Sequence, residues 1–321
     1  MSKIFVCGDT HGSIEETKKL NNMHFPMQEQ LTKQDVVIQL GDFGWVWSFL
    51  GKNKEQEYWL DWLASKNFTL AVVLGNHENY DIIEQLPTIQ KWGNELMVLK
   101  RDTGDIFFFK RGLTYMINNK KILIIGGALS IDKANRKAHI SWWEQEELTS
   151  KEIETCLFEI DKHEHRFDYI LTHTCPQKYI HHLEDNTVKV KCSVSSFLDH
   201  VDDMVTFTSW HFGHFHQDKS MADGKYRCHY DNPPFELGVG CASHVERDDK
   251  VVDMTYFDLF VYQLGRFGFC VLERDIQKLS LYESWEETAL GLTLAYLPKY
   301  GSLVYLHDWE RFAKSYISYN L

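Results

Sequence analysis

The chain has 321 residues and a net charge of -12, from 34 Lys and Arg against 46 Asp and Glu. Such a surface repels polyanions and disfavours sequence-independent binding along a nucleic-acid backbone, though it leaves room for a local site for one phosphate group. No stretch approaches the ~20 apolar residues that span a bilayer, and the seven cysteines, irregularly spaced and without a C-x-x-C, suit reduced cytoplasmic thiols better than a disulfide framework or a cysteine zinc site. Along the chain, short apolar and β-branched runs at residues 3–7, 35–40, 69–74, 121–125, 169–172 and 205–210 have the length and Val/Ile content of buried strands. The first run meets an acid at Asp9, so no secretion signal is expected and the location is read as cytoplasmic. Helical patterns at 13–20, 54–65 and 143–159 lie between several of these runs. That alternation predicts α/β layers. Past 231–234 (D-N-P-P) the chain changes character. There 256–264 and 267–272 read as a hairpin, and 284–295 and 307–321 as helices, without a cluster of metal-ligand type. The division expected is a main domain over 1–255 and a C-terminal extension over 256–321.

Chemistry concentrates just after the strands. The first is followed by Gly8-Asp9-Thr10-His11-Gly12, the second by Gly41-Asp42-Phe43-Gly44 and the third by Gly75-Asn76-His77-Glu78. His173 follows the fifth strand, and Gly213-His214-Phe215-His216 the sixth. Ligands of open α/β sheets bind outside the carboxyl ends of strands. Each motif alone has an ordinary explanation. An Asp after a strand caps a helix, G-D-F-G makes a turn, and two histidines at i and i+2 can be satisfied in a core. Five such ends in one chain do not fit that explanation. Carboxylate, imidazole and carboxamide together suit borderline divalent ions. Asp9, His11, Asp42, Asn76, His173, His214 and His216 are too many ligands for one ion with an open position, so two ions sharing a carboxylate are expected.

These five motifs resemble those of the calcineurin-like metallophosphoesterases, over roughly residues 1–218. Trp47, the 59–63 stretch (W-L-D-W-L), 75–81 (G-N-H-E-N-Y-D) and 141–143 (S-W-W) look like a bacterial and phage subgroup of that family. The resemblance implies a four-layer sandwich of two mixed β-sheets flanked by helices, with the metal site at the C-terminal strand edge. It implies that Asp9, His11 and His216 bind one metal, that Asp42 bridges, and that Asn76, His173 and His214 bind the other. His77 would bind no metal, face the substrate and protonate the leaving oxygen. The reaction implied is phosphoester hydrolysis by a metal-bridging hydroxide, as a phosphatase or phosphodiesterase on a nucleotide or other small phosphate. Manganese is expected first, with Fe, Zn, Co and Ni as alternatives. No membrane and no sequence-specific nucleic acid is expected as partner, and a homo-oligomer stays open.

One departure matters. The Ser/Thr protein phosphatases of the family carry an Asp-Arg pair after the second motif, where this chain reads Phe43-Gly44-Trp45-Val46-Trp47. The phosphate-clamping Arg is absent there, which counts against a protein phosphatase. Arg136, in the segment after the fourth strand, is the candidate replacement, with Arg101 and Arg111 behind it. A non-catalytic scaffold is the other alternative, although all the ligand positions and His77 are present. Glu78 reads as a supporting acceptor or cap. Of Trp142 and Trp143, one could stack on a base, although packing on the sheet is the ordinary reading.

Overall fold

The computed structural model describes residues 2–183 and 192–238. The boundary at 255 and the extension over 256–321 lie outside the described residues. The expected strands form as β1 (Ile4–Cys7), β2 (Val36–Gln39), β3 (Thr69–Val72), β8 (Lys120–Ile125), β9 (Tyr169–Thr172) and β10 (Ser209–Phe212). The last begins four residues later than the run at 205–210 suggests, because residues 205–208 form the connection from α6 (Ser193–Met204), with a single bridge from Thr206 to Arg166.

Four strands absent from the sequence reading fill the middle of the chain: β4 (Thr88–Lys91), β5 (Asn94–Arg101), β6 (Gly104–Phe109) and β7 (Leu113–Ile117). Two-residue turns join β4 to β5, β5 to β6 and β7 to β8, while residues 110–112 carry the chain from β6 in one sheet to β7 in the other. Trp92-Gly93 and Asn118-Asn119 both take positive φ at the two central positions, the backbone that closes a tight antiparallel hairpin. Three short strands close the described chain: β11 (Lys219–Met221), β12 (Tyr226–Cys228) and β13 (Phe235–Glu236).

One sheet runs β13-β1-β2-β3-β6-β5-β4 and the other β11-β12-β10-β9-β8-β7. Both are mixed. β1, β2, β3 and β6 are parallel, as are β8, β9, β10 and β12, while the outer pairings are antiparallel. Alternate residues of each strand face the partner sheet, as the period of two requires. Val6, Ile38, Val73, Val98 and Phe109 of the first sheet thus meet Tyr115, Ile122, Ile124 and Leu171 of the second.

Helices cover the outer faces. Leu60 and Leu63 of α2 (Lys54–Ala64) and Ile83 of α3 (Tyr80–Ile83) pack on Phe5, Val37, Leu70 and Phe108. α4 (Ser150–Lys162) lies against β7 and buries Ile153, Cys156 and Ile160. α6 buries Val194, Phe197, Leu198 and Val201. Two smaller helices are α1 (Ile14–Thr17) and α5 (Gln177–Ile180). The layers are therefore those expected.

Two helix limits differ from the sequence reading. The helix expected over 13–20 is a single turn continued as a 3-10 segment over Lys18–Leu20. The one expected over 143–159 begins at Ser150, where Thr149 caps Glu152 and Glu152 caps Thr149 in return. Trp143, extended and 1% exposed, is anchored in the core before that start.

Candidate metal centre

The carboxyl ends of β1, β2, β3, β9 and β10 meet at one edge, and hydrogen bonds there stitch the two sheets together. His173 Nδ1 donates to the Leu40 carbonyl at 2.7 Å, joining β9 to β2. The His214 amide reaches the Asp9 carboxylate at 3.1 Å, joining β10 to β1. The Thr10 and His11 amides donate to the Asp42 carbonyl. Close approach at this edge needs glycine. A Cβ on Gly75 would overlap the Asp42 carboxylate, and one on Gly213 would overlap that of Asp9. His11, Asp42, His214 and His216 all sit at positive φ, between 48° and 69°. Such backbone is uncommon for these residue types and concentrates where surrounding structure enforces it.

Six of the expected ligands fall into two groups, Asp9–His11–His216 and Asp42–His173–His214, each with its ligand atoms within 4.8 Å of one another. In the first, His11 Nε2 and His216 Nε2 lie 2.8 Å apart, and 3.8 and 3.5 Å from Asp9 Oδ2. Tyr230 stacks flat on His216 at 4.6 Å and holds its ring. In the second, the Leu40 carbonyl can only accept, so neutral His173 carries its proton on Nδ1. Its Nε2 lone pair then faces Asn76 Oδ1 at 2.9 Å and Asp42 Oδ1 at 3.2 Å. Three acceptors aimed at one point call for a cation, so the donor set fits a metal ion. Asn76, the seventh expected ligand, thus joins the second group.

The orientation of Asn76 follows from two residues that the sequence reading did not single out. The Ser130 hydroxyl donates to Glu146 Oε2 and so must accept from Asn76 Nδ2, at 3.0 Å, which turns Asn76 Oδ1 toward His173. Ser130 lies in the segment after β8, and nothing in its sequence context marks it as special.

Charge is arranged to match. Burial alone would raise the Asp42 carboxyl, but His173 against it, with His77 and His11 nearby, holds it well below the usual carboxylate range. Burial would lower His173, yet the same contact raises it to about 9, a sign that positive charge is favoured at this point. His214 is lowered to about 4, first by burial and then by His173, which leaves its ring neutral and free to ligate. Glu78 is fully buried and raised to about 8, by burial and then by Asp42. It accepts the Phe43 amide at 2.8 Å and so fixes the loop that carries Asp42, which is the supporting role expected of it.

His77 belongs to neither ligand group. Its amide donates to Asp42 Oδ1 at 2.7 Å, and its ring lies against the Arg136 guanidinium, with Nη1 3.2 Å from Nδ1 and Nη2 3.0 Å from Nε2. Burial lowers the His77 imidazole, against the pull of Asp42, and Arg136 lowers it further. Arg136 also pairs with Asp132 at 2.8 Å. It is the only one of the three candidate arginines that the structure brings to this edge. Arg101 is engaged by Glu57 and Asp61 of α2. Arg111 is buried against Glu152 and Tyr80. Trp143 donates to Asp81 and packs in the core, so its ring is not a stacking platform. Trp45 and Trp47 line the cavity that holds His11 and His77.

A family model described as calcineurin-like phosphoesterase matches residues 2–218. No curated protein matches the chain. Among solved structures the chain is similar to a phosphopantetheinyl hydrolase from Mycobacterium tuberculosis, at 13% identity over 76% of this chain and 99% of that one, with a TM-score of 0.32.

Proposed function

The chain belongs to the calcineurin-like phosphoesterases, and from that premise we propose that it hydrolyses a small phosphoester, as a phosphatase or phosphodiesterase acting on a nucleotide or comparable phosphate. The observation that carries this reading is the pair of ligand groups, Asp9–His11–His216 and Asp42–His173–His214, at the shared strand edge. Two divalent ions held there, manganese before Fe, Zn, Co or Ni, would supply a nucleophilic water near neutral pH and offset charge on the phosphoryl oxygens. Asp42 suits the bridging place, because its Oδ1 faces His173 at 3.2 Å while its Oδ2 faces His11 at 3.9 Å. Its two oxygens thus face residues of different ligand groups. His77 offers a ring N–H, and Arg136 offers a guanidinium, to phosphoryl oxygens lying over the centre. Asp132 holds the Arg136 side chain for that task. The small number of cationic side chains at this edge, on an acidic body, favours a small phosphate over a long polyanion.

The test is metal analysis of the purified protein, followed by a panel from p-nitrophenyl esters to cyclic and linear nucleotides. The wild type should bind two divalent ions and turn over at least one ester. Asp42→Asn should lose bound metal. His77→Ala should keep its metal and lose at least about 100-fold in kcat, the scale of a general acid or of one transition-state donor. A metal-loaded wild type that hydrolyses nothing in the panel would overturn the reading.

A further inference from the structure

A cavity of about 440 Å³ opens beside the metal centre. That volume lies within the range of small-molecule sites, roughly 300–1,000 Å³. It is lined by His11 and His77, by Trp45 and Trp47, and by Asn53 and Glu55 at the first turn of α2. The proposed reaction accounts for His11 and His77 only.

Trp47 is the exposed aromatic face, at 37% accessibility. It is fixed before any ligand arrives. Its amide donates to Gln56 Oε1 at 3.0 Å, its carbonyl accepts from Asn79 at 2.7 Å, and its ring meets Trp143 edge-on at 5.4 Å. A rigid indole of this kind offers a stacking surface to a flat ring.

The α2 lining selects against a second phosphate. Asn53 Oδ1 accepts the Glu55 and Gln56 amides, so the first turn of α2 is already capped and has no open seat for an anion there. Among the described residues the Glu55 carboxylate has no hydrogen bond or ion pair of its own. Ionised, it only accepts hydrogen bonds, and it repels negative charge. What suits this end is a group that donates N–H, and Trp47 beside it favours a flat one.

Building on the phosphoesterase reading, we propose that this cavity takes the organic part of the substrate, and that this part is a nucleobase stacked on Trp47 with N–H donors directed at Glu55. Guanine fits best. Its edge presents two adjacent N–H groups to the two carboxylate oxygens, whereas adenine presents an N–H beside a ring nitrogen that the carboxylate repels. Trp47 contributes affinity for any base, and Glu55 contributes the discrimination.

The test is titration calorimetry of metal-loaded protein with guanosine 5′-monophosphate and with adenosine 5′-monophosphate, for the wild type, Trp47→Ala and Glu55→Gln. The wild type should bind the guanosine nucleotide at least about 10-fold more tightly, as expected when a polar site meets its full donor set. Glu55→Gln should bring that ratio to within about threefold, and Trp47→Ala should weaken both ligands by roughly 5- to 100-fold, the scale of one lost base stack. Equal wild-type affinities, or a ratio untouched by Glu55→Gln in a folded variant, would overturn the subsite. Hydrolysis is scored separately. Base preference without turnover would remove the reaction and keep the base site, while turnover without base preference would do the opposite.

Discussion

At the scale of single residues, the centre depends on side chains that touch no substrate. Asn76 can ligate through its oxygen only if its amide is turned the right way, and Ser130, held by Glu146, does the turning. Ser130→Ala should weaken metal binding at the Asp42–His173–His214 group by about 10- to 100-fold, the usual cost of losing an outer partner. Titration of the metal-free protein with Mn would measure it. Glu146→Gln should have a smaller effect, because its carbonyl oxygen can still accept the Ser130 proton. Equal losses in the two variants would mean that Glu146 acts through its charge and not through the relay.

At the scale of elements, two candidate phosphate ligands prove to be fasteners. Arg101 ties β5 to α2 through Glu57 and Asp61. Arg111 sits between β6 and β7, with its side chain 3% exposed, and ties that turn to α4 through Glu152 at 2.7 Å. It also reaches the Gln145 carbonyl and the Tyr80 hydroxyl, so it fixes the start of the segment leading into α4. Removing one partner of a buried pair leaves the other charge uncompensated. Arg111→Met should therefore lower stability by about 3 kcal/mol in urea unfolding. The loss should appear in stability, with KM for any phosphoester unchanged, because this guanidinium is already taken up by Glu152, Tyr80 and the Gln145 carbonyl.

At the scale of the whole molecule, the two sheets are locked at one edge by the metal-site hydrogen bonds and sealed along their faces by apolar packing, except where a histidine pair interrupts it. His211 Nδ1 and His229 Nε2 lie 2.9 Å apart, and His211 Nε2 meets the Ser209 hydroxyl at 2.8 Å. The pair sits between β10 and β12 of one sheet and Phe235 of the other. Burial, ahead of all charge effects, lowers His229 to about 4 and puts His211 well below its ordinary value. A base whose folded pKa is depressed binds its proton more readily in the unfolded chain. Stability is then fully present above about pH 6.5 and is lost as pH falls toward 4, by about 3 kcal/mol for His229 alone. Urea unfolding at pH 7 and pH 4.5 should show that loss, and His229→Gln should show less of it. Metal removal acts on the same edge. At free metal near 100 times Kd, bound ions add about 2.7 kcal/mol per site. Chelation should thus lower Tm by about 5 °C or more, read by calorimetry, with recovery when Mn is returned. Among the described residues no helix is long and apolar enough to cross a membrane.

The candidate metal ligands were legible in the sequence because each follows a buried strand directly. A strand end is a local feature, and Gly-Asp, Gly-Asn-His and Gly-His-x-His mark it without any knowledge of the neighbours. The α/β class followed from the same alternation, whereas the two-sheet sandwich was implied by the family resemblance. The strands from β4 to β7 were less legible. Runs such as Ile106–Phe109 (I-F-F-F) carry a strand signal, but their pairing depends on two-residue turns at Trp92-Gly93 and Asn118-Asn119 whose geometry is plain only once both partners are seen. The capping box at Thr149 and Glu152 was readable and would have placed the start of α4 correctly. Which arginine reaches the centre, which tryptophan lines the cavity and how Asn76 is turned depend on contacts between distant parts of the chain, 59 positions for Arg136 to His77 and 54 for Asn76 to Ser130. No local pattern encodes such contacts. They are settled when the two sheets close on one another and each polar group takes the partner that burial leaves it. Of the 16 histidines, the sequence determined which follow strands. The tertiary structure brings six candidate ligand side chains together in two groups, and it alone decided that His211 and His229 pair in the core.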